Sequence, residues 1–126
     1  MSWQSYVDDQ LLATNLVSQA AICGHDGNVW ATSGGFTVSA GELKHIATNF
    51  GNMSVMPMSG ITVAGTKFMF LSANDRVMRG KKGTSGLHIM KTVQAIIVSV
   101  YVEPIVPEQC ANTTEKLGEY LISVGY

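Results

Sequence analysis

Closely spaced strand-like runs in the second half of the chain constrain its fold more than any other feature. Apolar and β-branched residues recur there in short segments separated by Gly, Asn and Lys turns, namely 61–63, 67–71, 76–78, 87–90 and 94–102. A parallel pair needs a crossover of about a dozen residues or more, so connections this short pair neighbouring strands antiparallel. We therefore predict five consecutive antiparallel strands.

A β-hairpin is predicted nearer the N-terminus. The apolar runs 20–23 and 29–31 flank the turn residues 24–28. The pair Asp26-Gly27 in that turn supplies the positive φ that a tight hairpin requires. Trp30 then falls on the second strand of the hairpin.

Helical patterns occur at both ends of the chain and once between them. Residues 2–12 form the first predicted helix, and a capping box of Ser39 and Glu42 starts a second one that runs to Gly51. The third helix carries apolar residues at helical spacing over 117–124, and Pro107 suits its first turn.

The order helix, two strands, helix, five strands, helix predicts an α+β fold in which helices cover an antiparallel sheet. A chain of 126 residues without linker or repeat fits a single domain, residues 1–126.

Positive charge is concentrated in one region although the net charge is only −1. No acidic residue falls between Asp75 and Glu103, and five of the eight basic residues lie in that interval: Arg76, Arg79, Lys81, Lys82 and Lys91. Such a region suits an acidic protein face, anionic lipid headgroups or nucleic acid as its partner. The alternative is a solvated loop without a partner.

Nothing in the sequence indicates an enzyme, a metal site or a cofactor. The three histidines show no metal-ligand spacing with one another or with Cys23 or Cys110, and no paired carboxylates are placed for acid–base chemistry. The longest apolar run is too short to span a membrane, and the N-terminus lacks the features of a signal peptide. We expect a cytoplasmic protein that binds partners, with reduced cysteines.

Aromatic residues at both ends of the chain suggest a binding surface. Trp3 and Tyr6 are three residues apart, so a helix capped by Ser2 projects both rings from one face. Tyr120 lies at the edge of the apolar stripe of the last helix. The alternative is that these rings simply pack into the core.

Segments spread along nearly the whole chain resemble the profilin family, and its amoeba and fungal members in particular. They occur in the family's order and at family-like spacing: MSWQSYVD (1–8), VWATSGGF (29–36), GTKFM (65–69), NDR (74–76), GKKG (80–83), KT (91–92), KLGEYLI (116–122) and VGY (124–126). The resemblance implies an α+β fold with a central antiparallel sheet, the N- and C-terminal helices on one face and one or more shorter helices on the other.

The same resemblance implies two binding surfaces. One takes polyproline II segments of proline-rich proteins such as formins, on Trp3, Tyr6, Trp30, Tyr120 and Tyr126. The other binds monomeric actin, regulating its polymerisation and nucleotide exchange, through Lys67, Arg76, Lys81, Lys82, Val106, Asn112 and Lys116. Phosphoinositide headgroups are a further implied ligand, on Arg76, Arg79, Lys81, Lys82 and Lys91. The implied location is the cytoplasm and its cytoskeleton.

This chain departs from the family pattern on the presumed actin surface. Ser72 stands where many members have arginine, and Arg79 stands where tyrosine is common. A basic lipid- or nucleic-acid-binding module without actin activity is the alternative function. The aromatic residues at both termini argue against it, so no nucleic-acid partner is expected.

Overall fold

Seven antiparallel strands form the centre of the computed structural model, which describes residues 2–50 and 60–126. The strands are β1 (Gln19–Gly24), β2 (Val29–Thr32), β3 (Ile61–Val63), β4 (Thr66–Ala73), β5 (Val77–Lys82), β6 (Ser85–Lys91) and β7 (Ala95–Val102). Their spatial order is β2-β1-β7-β6-β5-β4-β3. The five consecutive strands β3 to β7 are therefore neighbours, as their short connections predicted, and the predicted hairpin joins them through β1 against β7.

Strand β5 is longer than predicted at its C-terminal end. Lys81 and Lys82, expected in a turn, continue the ladder opposite Gly86 and Ser85 of β6. Gly83, with a φ of 59°, then makes the tight turn. Because a glycine adopts this left-handed conformation without steric cost, the turn forms after the lysines rather than at them.

The N-terminal helix is less regular than the predicted single helix over 2–12. Helix α1 (Trp3–Ser5) begins at Ser2, whose Oγ accepts a hydrogen bond from the Ser5 N–H at 3.1 Å. The chain continues as a π-helix (Tyr6–Leu11) and a 3₁₀ turn (Leu12–Thr14). The wider π turn changes the direction in which successive side chains point.

Two further helices complete the described chain. Helix α2 (Ala40–Asn49) has the predicted capping box, in which Ser39 and Glu42 each bond the other's backbone N–H. Gly51, its predicted stop, lies outside the described residues. Helix α3 (Pro107–Ser123) begins with Pro107 in its first turn, as predicted.

Both faces of the central strands are buried. Along β7, Ile96 and Val98 point to the core that includes α2, whereas Ile97 points to a second core beneath the N-terminal segment and α3. This alternation places the terminal helices together on one face and the shorter helix on the other, which confirms the predicted layers.

Candidate binding surfaces

Five aromatic side chains from both ends of the chain and from β2 form one continuous patch, which we call the aromatic surface: Trp3, Tyr6, Trp30, Tyr120 and Tyr126. The Trp3 ring is central, with centroid distances of 4.7 Å to Trp30, 5.1 Å to Tyr126 and 5.5 Å to Tyr6. Tyr6 lies 6.2 Å from Tyr120. The structure therefore brings together all five positions singled out in the sequence.

A hydrogen bond to β2 and a layer of buried apolar residues support the part of the aromatic surface around Trp3. The Gln4 side chain donates to the Thr32 carbonyl at 2.8 Å and so ties the N-terminal segment to β2, which carries Trp30. Below the rings, Val7 and Leu11 are fully buried in the second core. The aromatic surface thus lies directly over the second core.

Tyr126 is held by contacts that sequence reasoning missed. Its backbone oxygen accepts hydrogen bonds from the Thr92 hydroxyl, at 2.7 Å, and from the Gln94 N–H. Its own N–H donates to the Leu121 carbonyl at 2.8 Å. The loop between β6 and β7 thereby fixes a ring that meets Trp3 edge-on, at 88°. Thr92 lies in the KT segment, which was the only sequence signal for this contact.

The aromatic surface combines flat apolar faces with hydrogen-bond donors. Tyr120 and Tyr126 are 51% and 42% exposed, and the other three residues are half-buried, so none of the five rings is fully buried in the core. Burial raises the pKa of Tyr6, and the neighbouring Tyr120 hydroxyl adds to the shift. The Tyr6 hydroxyl is therefore a neutral donor at physiological pH, beside two indole N–H groups.

A second exposed area, which we call the open face, is the part of β4 and β5 that no helix covers. Its strand side chains are Lys67, Met69, Ser72, Arg79 and Lys81. Met69 is 63% exposed, and Leu71 beside it is 49% exposed because it lies in a β-bulge. The open face therefore presents three cations around exposed apolar groups, an arrangement that suits an acidic protein partner.

The β-bulge at Leu71 places Ser72 and Arg79, the two departures from the family pattern, opposite each other. It shifts the register so that Ser72 pairs directly with Arg79, and both side chains point to the open face. The arginine of this chain therefore lies across the strand pair from the position where the family arginine is expected.

The other predicted cationic residues do not all share this face. Lys82 follows Lys81 and so points to the opposite side of the sheet. Lys91 also lies on that side, 6.0 Å from the ring centroid of Phe50. Arg76 is in the turn before β5, about 16 Å along the strand from Lys81 at 3.3 Å per residue. The residues predicted for phosphoinositides thus form no single cluster.

Two of the three predicted actin-binding positions near α3, Val106 and Lys116, line different hollows. Val106 and Lys81 line one hollow of about 620 Å³ between the β5–β6 turn and the start of α3. Asn112 is exposed on α3. Lys116 instead lines a groove on the side of α3 that faces Tyr6.

A buried histidine at the border of the open face was missed by the sequence analysis. His88 is 2% exposed, and its Nε2 lies 3.1 Å from Oε2 of Glu115, which is also 4.0 Å from Arg79. Burial lowers the pKa of His88 to about 4, with a smaller contribution from Arg79. The imidazole is therefore neutral at pH 7. Its position in the strand GLHIM carries no signal that separates it from a surface histidine.

The described residues contain no arrangement suited to metal binding. No group of three His, Cys, Asp or Glu side chains in residues 2–50 and 60–126 is placed to hold an ion. Cys23 and Cys110 are buried free thiols, and burial raises the pKa of each to about 12. None of the helices in these ranges has the length and apolar character to cross a bilayer.

The antiparallel sheet, with the terminal helices packed together on one face, defines a small α+β fold that presents two candidate binding surfaces. The sequence model of the family described as profilin matches residues 1–126. The chain is 53% identical to a profilin of Bombyx mori and 47% identical to profilin-1A of Acanthamoeba castellanii, over the full length of both chains in each case. It belongs to the profilin family, which is not enzymatic.

Solved structures agree with this assignment. The structure of Acanthamoeba castellanii profilin Ib superposes with a TM-score of 0.97 at 47% identity, covering 99% of this chain and 100% of that one. Two structures below 20% identity share the fold and contain partners. They are mouse profilin IIa in complex with a double repeat from the FH1 domain of mDia1 (TM-score 0.85) and LokiProfilin2 in complex with rabbit actin (TM-score 0.79).

Proposed function

We propose that this chain, acting as one domain over residues 1–126, binds proline-rich segments on its aromatic surface and monomeric actin on its open face. It thereby regulates actin polymerisation and nucleotide exchange on actin, in the cytoplasm and at the cytoskeleton. The observation that carries the proposal is the aromatic surface itself, in which Trp3 contacts three other rings.

Polyproline II segments fit this surface for three physical reasons. Proline rings stack on flat aromatic faces, and the ligand is already extended, so little conformational entropy is lost on binding. The carbonyls of the ligand have no internal partners, and the indole N–H and tyrosine O–H groups supply donors.

Membership of the family and the surface chemistry together support actin as the second partner. The cations Lys67, Arg79 and Lys81 complement an acidic face and accelerate its encounter. Met69 and Leu71 provide the apolar contact area that charge alone does not. The two surfaces use different residues, so both partners can bind at once.

Anionic phosphoinositides are a weaker candidate because the cations are dispersed. Of the proposed residues only Arg79 and Lys81 share the open face. We propose that a phosphoinositide headgroup binds there in competition with actin. Vesicles that contain such lipids should sediment the wild-type chain but not Lys81→Glu.

Reciprocal variants test the two-surface proposal. Trp3→Ala should abolish retention on immobilised poly-L-proline, because losing a central stacking ring costs about 2 kcal/mol or more, while actin binding persists. Lys81→Glu should weaken actin binding and leave proline binding intact. Lys82→Glu is the matched control, because it makes the same change in charge on the opposite side of the sheet.

Two outcomes would contradict the proposal. Folded Trp3→Ala retained as strongly as wild type would mean that the aromatic rings serve only core packing. Equal loss of proline and actin binding in folded Lys81→Glu would show that the two surfaces are not separate.

A further inference from the structure

A methionine lies in the middle of the open face. Met69 is 63% exposed, the largest exposure of any large apolar side chain in residues 2–50 and 60–126. Methionine differs from the other apolar side chains because its thioether is oxidised reversibly to a polar sulfoxide. Its exposure therefore makes Met69 accessible to chemical modification as well as to a partner.

The other methionines in the described ranges are protected from solvent. Met78 is fully buried, and Met90 is 2% exposed and packs against Gly118 of α3. A dissolved oxidant reaches a side chain from the solvent, so exposure determines which thioether reacts first. Such an oxidant should modify Met69 and spare Met78 and Met90.

The strand register surrounds Met69 with positive charge. Lys81 of β5 is directly opposite Met69, and Lys67, two residues earlier on β4, points to the same side of the sheet. Cβ atoms of directly opposite residues are about 4.5–5.5 Å apart, so the Lys81 ammonium can reach the end of the methionine side chain. A thioether sulfur accepts hydrogen bonds only weakly. Oxidation therefore places a stronger acceptor, the sulfoxide oxygen, within reach of Lys81.

We propose that Met69 is a reversible oxidation site that controls the binding of actin to the open face. This inference rests on the proposed actin binding and adds its regulation by a two-electron oxidant of the peroxide class. The sulfur lone pair attacks one oxygen of hydrogen peroxide, the O–O bond breaks, and the second oxygen leaves as water after it takes the proton of the first. The sulfur is oxidised and the peroxide is reduced. Methionine sulfoxide reductases, which draw electrons from thiols, restore the thioether.

Oxidation weakens the proposed actin contact in two ways. The apolar middle of the open face becomes polar, and burying a polar group without a matching partner is unfavourable. A hydrogen bond from Lys81 to the sulfoxide oxygen also withdraws one of the cations that complement an acidic partner. The aromatic surface uses different residues, so proline binding is not affected.

The selectivity of oxidation can be followed by NMR on protein labelled with ¹³C at the methionine methyl groups. Met69→Leu identifies the Met69 signal by its absence. During treatment with hydrogen peroxide the Met69 signal should convert to that of the sulfoxide while the Met78 and Met90 signals stay in place. Oxidation of Met78 or Met90 before Met69 would overturn the proposal.

Actin binding is then measured after removal of the peroxide, so that actin itself is not oxidised. Oxidised wild type should bind about tenfold more weakly than untreated wild type, a change of about 1.4 kcal/mol, and methionine sulfoxide reductase should restore the affinity. The affinity of Met69→Leu should be the same before and after peroxide. Retention on poly-L-proline should not change in either chain.

A permanent mimic tests the same effect without an oxidant. Met69→Gln replaces the thioether with an unbranched side chain that carries a strong acceptor, and it should weaken actin binding as oxidation does. Val29→Gln is the matched control. It makes the same apolar-to-amide change at a 42% exposed position on the edge strand β2, far across the sheet, and should bind actin as wild type does.

The outcomes separate the oxidation proposal from the function on which it rests. Unchanged affinity of oxidised wild type, or an equal loss of affinity in folded, oxidised Met69→Leu, would overturn the oxidation proposal while actin binding stands. Failure of the untreated chain to bind actin would overturn the proposed actin binding and its proposed regulation together.

Discussion

Restoring the family arginine at position 72 tests the register of the open face. Because Ser72 pairs directly with Arg79, Ser72→Arg places two guanidinium groups opposite each other. The double variant Ser72→Arg with Arg79→Tyr moves the cation across the strand pair instead. It recreates the pattern that is common in the family without adding a charge.

The stability cost follows from the geometry of the pair. Cβ atoms of directly opposite residues are about 4.5–5.5 Å apart, and like charges there cost about 0.2–1 kcal/mol. Arg79 already has a carboxylate neighbour in Glu115 at 4.0 Å, but both side chains are about 40% exposed, so this contact offsets well under 1 kcal/mol. Ser72→Arg should therefore lower the free energy of unfolding by about 0.5 kcal/mol at low salt, and by less at 0.5 M salt.

Ser72→Arg should strengthen actin binding although it lowers the stability of the fold. Ser72→Arg adds a fourth cation to the open face and should accelerate association at low salt, whereas Arg79→Tyr alone should weaken binding. The double variant should bind as wild type does, because the number of cations is unchanged.

Urea unfolding and stopped-flow association with actin at two salt concentrations measure both effects. Additive stability effects of the two substitutions would show that the side chains do not face each other. Unchanged actin binding in Ser72→Arg at low salt would remove position 72 from the interface.

Three further predictions concern buried groups. His88 is protonated near pH 6.5 in the unfolded chain and only near 4 in the folded chain, so the free energy of unfolding should fall by up to about 1.4 kcal/mol per pH unit as the pH drops between these values. Urea unfolding of wild type and His88→Gln at several pH values measures this dependence. An equally steep fall in the free energy of unfolding of His88→Gln would contradict the prediction. Gly86→Ala places a Cβ 2.1 Å from the Tyr101 ring, and this overpacking should lower the free energy of unfolding by about 1–3 kcal/mol, measured by urea unfolding. An unchanged urea midpoint would mean that the Tyr101 ring moves aside freely. Cys23 and Cys110 should resist thiol reagents until the chain unfolds, because burial raises the pKa of both; stoichiometric labelling of the native chain would show otherwise.

Local sequence patterns predicted most of the fold because each pattern has a direct physical cause. The turn lengths specified the antiparallel neighbours, and the capping box placed the start of α2 at Ser39. The exception was the N-terminal helix. Its π turns were not predicted, because the helical spacing of apolar residues does not distinguish a π turn from an α-helical one.

The candidate sites also contain some residues that the sequence predicted and some contacts that required the structure. The five aromatic positions could be chosen from the sequence because the terminal segments suggested them, although the anchoring of Tyr126 by Thr92 could not. On the open face, a single bulged residue, Leu71, determines which side chains point outward. Neither a bulge nor a cross-strand contact can be read from spacing, so the pairing of Ser72 with Arg79 required the structure.

Binding of a proline-rich ligand by the aromatic surface is the central claim, and the chain offers a direct test. It contains two tryptophans, Trp3 and Trp30, and both belong to this surface. Their indole N–H signals, followed by NMR during titration with a ten-proline peptide, should both shift and reach saturation, while the amide signals of Arg79 and Lys81 stay in place. Indole signals that remain unmoved at millimolar peptide would contradict the account.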